Sequence, residues 1–402
     1  GDSIFIKIGG LNGEYRGHYQ AKDDTEMLLG TWFQSGFSFP LNLTKNIGPM
    51  DGPDRPQHPK PPFPYKLEDV RFSHADGSIT LAGTITLPEN NEAAPAVILI
   101  TGSGPQDRDE TIFHHKPFWV IADYLTRRGI AVLRFDDRGY GESTGNFSTA
   151  TSRDFSNDVM AGVAYLKSRA DIDPSRIGLI GHSEGGVIGP MVAAKQTDIA
   201  FMILLAGTAV TGSDVLKAQT AAILESSGVK SEVTTELQPL LKDMHAIVIK
   251  SKTIEKARKK AVSLFNRWYP GSSDGARFVL QIPSKADAEA YAISYVNQLY
   301  NPWMRQFLQH DPVPELLKSS CPVLAIFAEK DIQVIPAQNK QPMMDALAAS
   351  CRSGNYDVIE IPGVNHLFQH CSDCTIAEYG RLTETFAPEV LELMSGWLER
   401  FR

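Results

Sequence analysis

A chain of 402 residues can hold two domains or one large domain with an insertion, and 42% apolar against 21% charged residues is the balance of a soluble globular protein. A net charge of −8 argues against a nucleic-acid partner, and the basic run from Lys256 to Lys260 is too short to reverse that. No apolar run approaches the ~18 residues that span a bilayer; the longest, 96–101 and 201–205, have the length of strands.

In chain order, residues 1–45 alternate apolar and polar positions in short segments such as SIFIKI, TEMLLGTWFQSG and FSFPLNLTK, with Asn12-Gly13 as a turn. That period of two predicts a small antiparallel β region, thin enough to need packing against the rest or further strands upstream. Residues 46–65 carry seven prolines (Pro49, Pro53, Pro56, Pro59, Pro61, Pro62 and Pro64). That density blocks helix and ladder pairing and predicts an extended linker.

From Lys66, LEDVRFS and ITLAGTITLP read as a hairpin about a turn at His74–Gly77. Short, almost wholly apolar runs follow at 96–101, 130–135, 176–181, 200–206, 322–328 and 357–362. Helical stretches lie between most of them, including Phe118–Arg128, Asp154–Ser168 and Gly186–Lys195. The alternation predicts an α/β fold with a mostly parallel central sheet and helices on both faces. The rhythm breaks between Ala206 and Pro322, where the pattern is mostly helical. Residues 212–310 are therefore expected to form a helical cap insertion, leaving 66–211 and 311–402 as the core. The cap's aromatics (Trp268, Tyr269, Tyr291, Tyr295, Tyr300, Trp303 and Phe307) recur at helical spacing, which reads as cap core ahead of a substrate pocket. A cap that covers the site would favour small substrates.

Of the four cysteines, Cys321, Cys351, Cys371 and Cys374, the last two have the spacing of a local disulfide, a redox pair or half a zinc site. Zinc would need two more ligands from among His366, His370 and Cys351, so a local disulfide or an incidental pair is favoured over a metal. The start at Gly1, the N-terminal β region and the cysteine pair favour an exported or periplasmic location over the cytoplasm.

The pattern Gly-x-Ser-x-Gly, a short signature of an activated serine, occurs three times, around Ser143, Ser183 and Ser273. With 32 glycines in the chain, chance supplies such a match about 0.2 times, so the pattern alone cannot choose. Context can, because the chemistry needs the serine on a sharp turn directly after a strand and directly before a helix. Ser143 lies in a Gly-rich loop and Ser273 in a polar turn with no strand before it. Ser183 has RIGLIG before it and the apolar helical pattern GGVIGPMVAAK behind it. Ser183 is the nucleophile expected.

A serine hydroxyl needs a base, and the base needs an orienting carboxylate, on loops after later strands. After PVLAIFA stand Glu329 and Asp331; after DVIEIP stand His366 and His370. Asp331 is preferred because Glu329 is nearer the strand end, and His366 because His370 lies a helical turn further on. The oxyanion hole is expected from the Glu184 N–H and a second N–H in GSGPQDRDE, with Ser103 ahead of Gly104. The mixed charges of Gln106–Glu110 predict ion pairs and hydrogen bonds that hold this loop.

GHSEGG, ITGSGPQDRDE, LRFDDRGYGESTG, FAEKDIQV, NPWMRQFLQHDP and GVNHLFQ together resemble the α/β-hydrolase superfamily, and within it bacterial carboxylesterases of the esterase D type. The resemblance runs from about Lys66 to the C-terminus and is weakest in the helical insertion. It implies the α/β-hydrolase fold, a triad of Ser183, Asp331 and His366, an oxyanion hole at Ser103 and Glu184, and hydrolysis of short-chain carboxylic esters by two-step acyl transfer. Ala328, where the family often has glycine, and the Cys371–Cys374 pair depart from it. This chemistry requires no metal and no cofactor. The partner expected is a small-molecule ester, with a homodimer left open. The same triad also serves thioesterases and peptidases, and a non-catalytic binding protein on this fold would be expected to lack a triad member.

Overall fold

A computed structural model describes residues 3–8, 13–22, 25–34, 37–45, 54–89, 92–350 and 355–402. They form two compact units. In one, β1 (Ser3–Ile8), β2 (Gly13–Lys22), β3 (Thr25–Gln34) and β4 (Phe37–Thr44) pair in chain order as an antiparallel sheet. Asn12 of the expected turn lies outside the described residues, and Gly13 opens β2. Tyr15, paired with Trp32, is buried and donates its hydroxyl to the Leu28 carbonyl at 2.9 Å.

The same unit holds residues 220–309, whose helices include Ser231–Lys250, Ile254–Trp268 and Lys285–Leu299. Thr253 caps the second of these, and Ser284 with Asp287 forms a capping box on the third, so each helix starts where its free N–H groups find an acceptor. Three of the helical aromatics pack on one another: Tyr291 lies 5.6 Å from Phe265 and 6.0 Å from Tyr295, ring to ring. The Tyr295 hydroxyl is 3.0 Å from His245 Nε2.

In the second unit the chain forms β5 (Tyr65–Ser73), β6 (Thr80–Pro88), β7 (Ala94–Ile100), β8 (Ala131–Phe135), β9 (Ile172–His182), β10 (Met202–Leu205), β11 (Val323–Ala328) and β12 (Tyr356–Ile361). They make one sheet in the order β12-β11-β10-β9-β7-β8-β6-β5. Pairing is antiparallel for β5–β6 and β6–β8 and parallel elsewhere. Every residue of β7, β8, β10 and β11 is buried, which is why these strands read as unbroken apolar runs. Helices Pro117–Thr126, Ser152–Lys167, Gly185–Ala193 and Pro336–Ser350 pack on the sheet.

The chain leaves β10, passes through the helices of the other unit and returns to β11. The division between units falls at Gln219/Thr220, inside the helix Gly212–Ser226, and again at Gln309/His310. Of the proline-rich stretch, residues 46–53 lie outside the described part. The rest is anchored. Arg55 is buried and donates to the carbonyls of Phe113, Gly380 and Leu382, while Gln57 bonds the backbones of Thr385 and Phe386. Parallel pairing sends the loops after β7, β9, β11 and β12 to one edge of the sheet, where open α/β sheets hold their sites.

Candidate active site

Ser183 follows β9 directly with φ of 54°, a left-handed conformation that a serine keeps only where its surroundings enforce it. Its N–H donates to Leu205 O at 2.8 Å, and its carbonyl accepts from Gly186 N at 2.9 Å. The flanking glycines are obligatory. A Cβ on Gly181 or Gly185 would lie 2.1 Å from a backbone oxygen, that of Gly185 and of Ile100 respectively. Glu184 is the N-cap of helix Gly185–Ala193, so its amide sits at the positive end of a helix dipole. Its carboxylate accepts from Ser152 Oγ at 2.6 Å.

The loop after β7 lies against this turn: a Cβ on Gly102 would meet Ser183 Cβ at 3.3 Å. Ser103 follows as an exposed residue, and Gly104 has φ of 97°. Acidic side chains hold the loop from within. The buried Asp137 accepts from Thr101 Oγ1 at 2.8 Å and Gln106 N at 2.9 Å, and Asp136 receives the Arg108 amide and guanidinium. Burial pushes the Asp137 carboxyl well above its usual range, these hydrogen bonds oppose that, and the Glu184 and Asp158 charges add to it. Glu110 closes the loop, accepting from Gly102 N at 2.7 Å.

Of the acid and base candidates, Asp331 and His366 meet. Asp331 Oδ2 lies 2.7 Å from His366 Nδ1, and both side chains are almost wholly buried. The other carboxylate oxygen accepts from Gln333 N at 2.7 Å and Val334 N at 2.9 Å, which fixes the carboxylate's orientation. A carboxylate accepts, so Nδ1 carries the proton of this bond and Nε2 is left for other work. The His366 loop is set by Asn365, whose Oδ1 takes the amides of Leu367 and Gln369. Glu329 instead accepts from Gly363 N and pairs with Lys330. His370 pairs with Glu384 and Glu389 at the surface. It is separated from His366 not by a helical turn but by a tight turn with Phe368 at φ of 56°.

The other two serines serve structure. Ser143 Oγ donates to Asp136 O at 2.7 Å and accepts from Ala82 N at 2.9 Å, and Ser273 caps helix Asp274–Val279. Cys371 and Cys374 form a disulfide. Glu378 beside it accepts the amides of Ser372, Asp373 and Cys374, so among the described residues this group is a loop clasp; Cys351 lies outside them. No described helix is long and apolar enough to cross a membrane.

His182, part of the GHSEGG motif but with no role read from its position, bonds to Glu110 and to the backbone of His366. Its partners lie far off in sequence, so no spacing rule points to them.

Known proteins agree with this architecture. Esterase EstD of Thermotoga maritima is 28% identical over 273 residues, which are 68% of this chain and 55% of that protein, so the match spans about half of the esterase's length. An uncharacterized 31.7 kDa protein of Escherichia coli is 24% identical over 83% of this chain and 99% of its own. The structure of the Pyrococcus furiosus esterase Pf2001 covers 84% of this chain and 91% of its own with a TM-score of 0.50 at 15% identity, a likeness of fold. The family model described as the alpha/beta hydrolase family matches residues 97–373, from β7 to beyond His366, and the chain belongs to that family.

Proposed function

We propose that the protein is a serine hydrolase that cleaves short-chain carboxylic esters by two-step acyl transfer, with Ser183 as nucleophile, His366 as base and Asp331 as its orienting acid. The observation that carries this reading is the buried Asp331–His366 pair, following β11 and β12 at the same sheet edge that bears the strained Ser183 turn. Asp331 holds the tautomer in which Nε2 takes the Ser183 proton while Oγ attacks the ester carbonyl. The N–H groups of Glu184 and Ser103 receive the developing oxyanion. The proton passes to the leaving alcohol, and water repeats the sequence on the acyl-enzyme to release the acid and restore Ser183. The preference for short esters rests on the resemblance to bacterial carboxylesterases and on the likeness to Esterase EstD.

A fluorophosphonate should form one covalent adduct, on Ser183, and p-nitrophenyl acetate and butyrate should turn over faster than the dodecanoate, acyl-CoA thioesters or peptide anilides. Absence of that adduct, or thioester or anilide turnover above that of the esters, rejects the reading.

A further inference from the structure

Beside the Ser183 turn lies a histidine–glutamate pair that the mechanism above does not use. His182 and Glu110 are both buried, with side chains 9% and 5% exposed. His182 Nδ1 is 3.0 Å from Glu110 Oε1, and Nε2 is 3.0 Å from the backbone oxygen of His366. The same Glu110 oxygen accepts from Gly102 N at 2.7 Å. Gly102 touches the rest, since a Cβ there would stand 3.3 Å from both Glu110 Oε1 and Ser183 Cβ. One carboxylate and one imidazole thus tie together the loop after β7, the Ser183 turn and the His366 loop.

The partners place the protons. A carbonyl oxygen only accepts, so His182 Nε2 carries one proton, and a second lies in the bond between Nδ1 and Glu110 Oε1. Burial opposes a charge on the ring, and Glu110 together with the His366 carbonyl outweighs it, raising the ring's pKa above its ordinary value. A buried pair with its hydrogen bonds filled is rigid, because any slip leaves a charge unmet in a low dielectric. Glu110 itself is held at φ of 52°, with Asp107 Oδ1 taking the Asp109 and Thr111 amides on either side of it.

We propose that Glu110 and His182 are a positioning pair that sets the oxyanion loop and the His366 loop in register with Ser183, touching no substrate. The proposal rests on the serine-hydrolase reading. Glu110→Gln offers one acceptor oxygen and no charge, and His182→Gln cannot reach both partners at once. Each should lower kcat on p-nitrophenyl butyrate by roughly 10- to 100-fold through misplacement. KM should stay within about threefold, and the double variant should lose little more than the worse single one, as for groups that act as a unit. Folded single variants with kcat within about twofold of wild type overturn the proposal. Neutron diffraction of the wild-type protein provides a test free of any folding defect: deuterium on His182 Nε2 and in the bond between Nδ1 and Glu110 Oε1 supports the pair, and its absence from either overturns it. Ser183→Ala, assayed alongside, separates the two readings. If it is active, the serine reading itself fails; if it is inactive beside a wild-type-like Glu110→Gln, the pair alone fails.

Discussion

The turn carrying Ser183 and the loop carrying Ser143 spell the same five-residue pattern in the same compact unit, and they use it for opposite ends. Around Ser183 the glycines are there because backbone oxygens crowd their Cα atoms, and the serine is left at φ of 54° before a helix. Around Ser143, Gly141 and Gly145 have φ of 51° and 102°, and the hydroxyl is consumed by two backbone bonds between Asp136 and Ala82. A hydroxyl that donates and accepts inside the fold is a strut. The one on a strained turn beside Gly102 is the nucleophile of the proposed reaction. What separates them is where the backbone strain and the hydrogen bonds fall, not the spelling.

That contrast can be broken by substitution. Ser183→Ala should cost roughly four to six orders of magnitude in kcat for ester hydrolysis with the thermal melt unchanged. Asp331→Asn should cost about 10⁴-fold in kcat while leaving fluorophosphonate access to Ser183 slowed and not abolished, since the tautomer of His366 is lost but the turn is intact. Ser143→Ala inverts the pattern: turnover per folded molecule stays near wild type, and stability falls by about 1–3 kcal/mol because two buried backbone groups lose their partner. It is read as a lower melting temperature. Ser273→Ala should be the mildest, with about 1 kcal/mol lost from a helix cap and no change in kcat. If Ser143→Ala lowers kcat as steeply as Ser183→Ala, the contrast between strut and nucleophile collapses.

Much of this was legible in the chain itself. The runs at 96–101, 200–206 and 322–328 announce buried parallel strands because both of their faces are covered, and β7, β10 and β11 lie there. Strand β2, GEYRGHYQAK, sets Gly13, Tyr15, Gly17 and Tyr19 on one face against Glu14, Arg16, His18 and Gln20 on the other, so it shows alternation but no apolar run, and its partners in the sheet define it. Asp331 and His366 could be named because each follows a strand end, a position that apolar runs locate well. Glu110 and His182 could not be paired from sequence. Seventy-two positions separate them, and only the parallel pairing of β7 with β9 brings them together. The anchoring of Arg55 was equally hidden, because proline content speaks of backbone pairing and says nothing of where a neighbouring guanidinium goes.

That arginine bears on how far the N-terminal arm can be trimmed. Arg55 and Gln57 grip residues 380–386, and the next residue, Ala387, donates its N–H to Phe368 O on the loop that carries His366. A deletion ending at Lys45 keeps this fastening whole. One that runs on to Lys60 unbuttons the strip flanking the histidine loop, although every strand of the larger sheet is still encoded. For anyone trimming the chain down to the larger sheet, the first residue to keep is therefore set by a side chain in a segment that looks like a spacer.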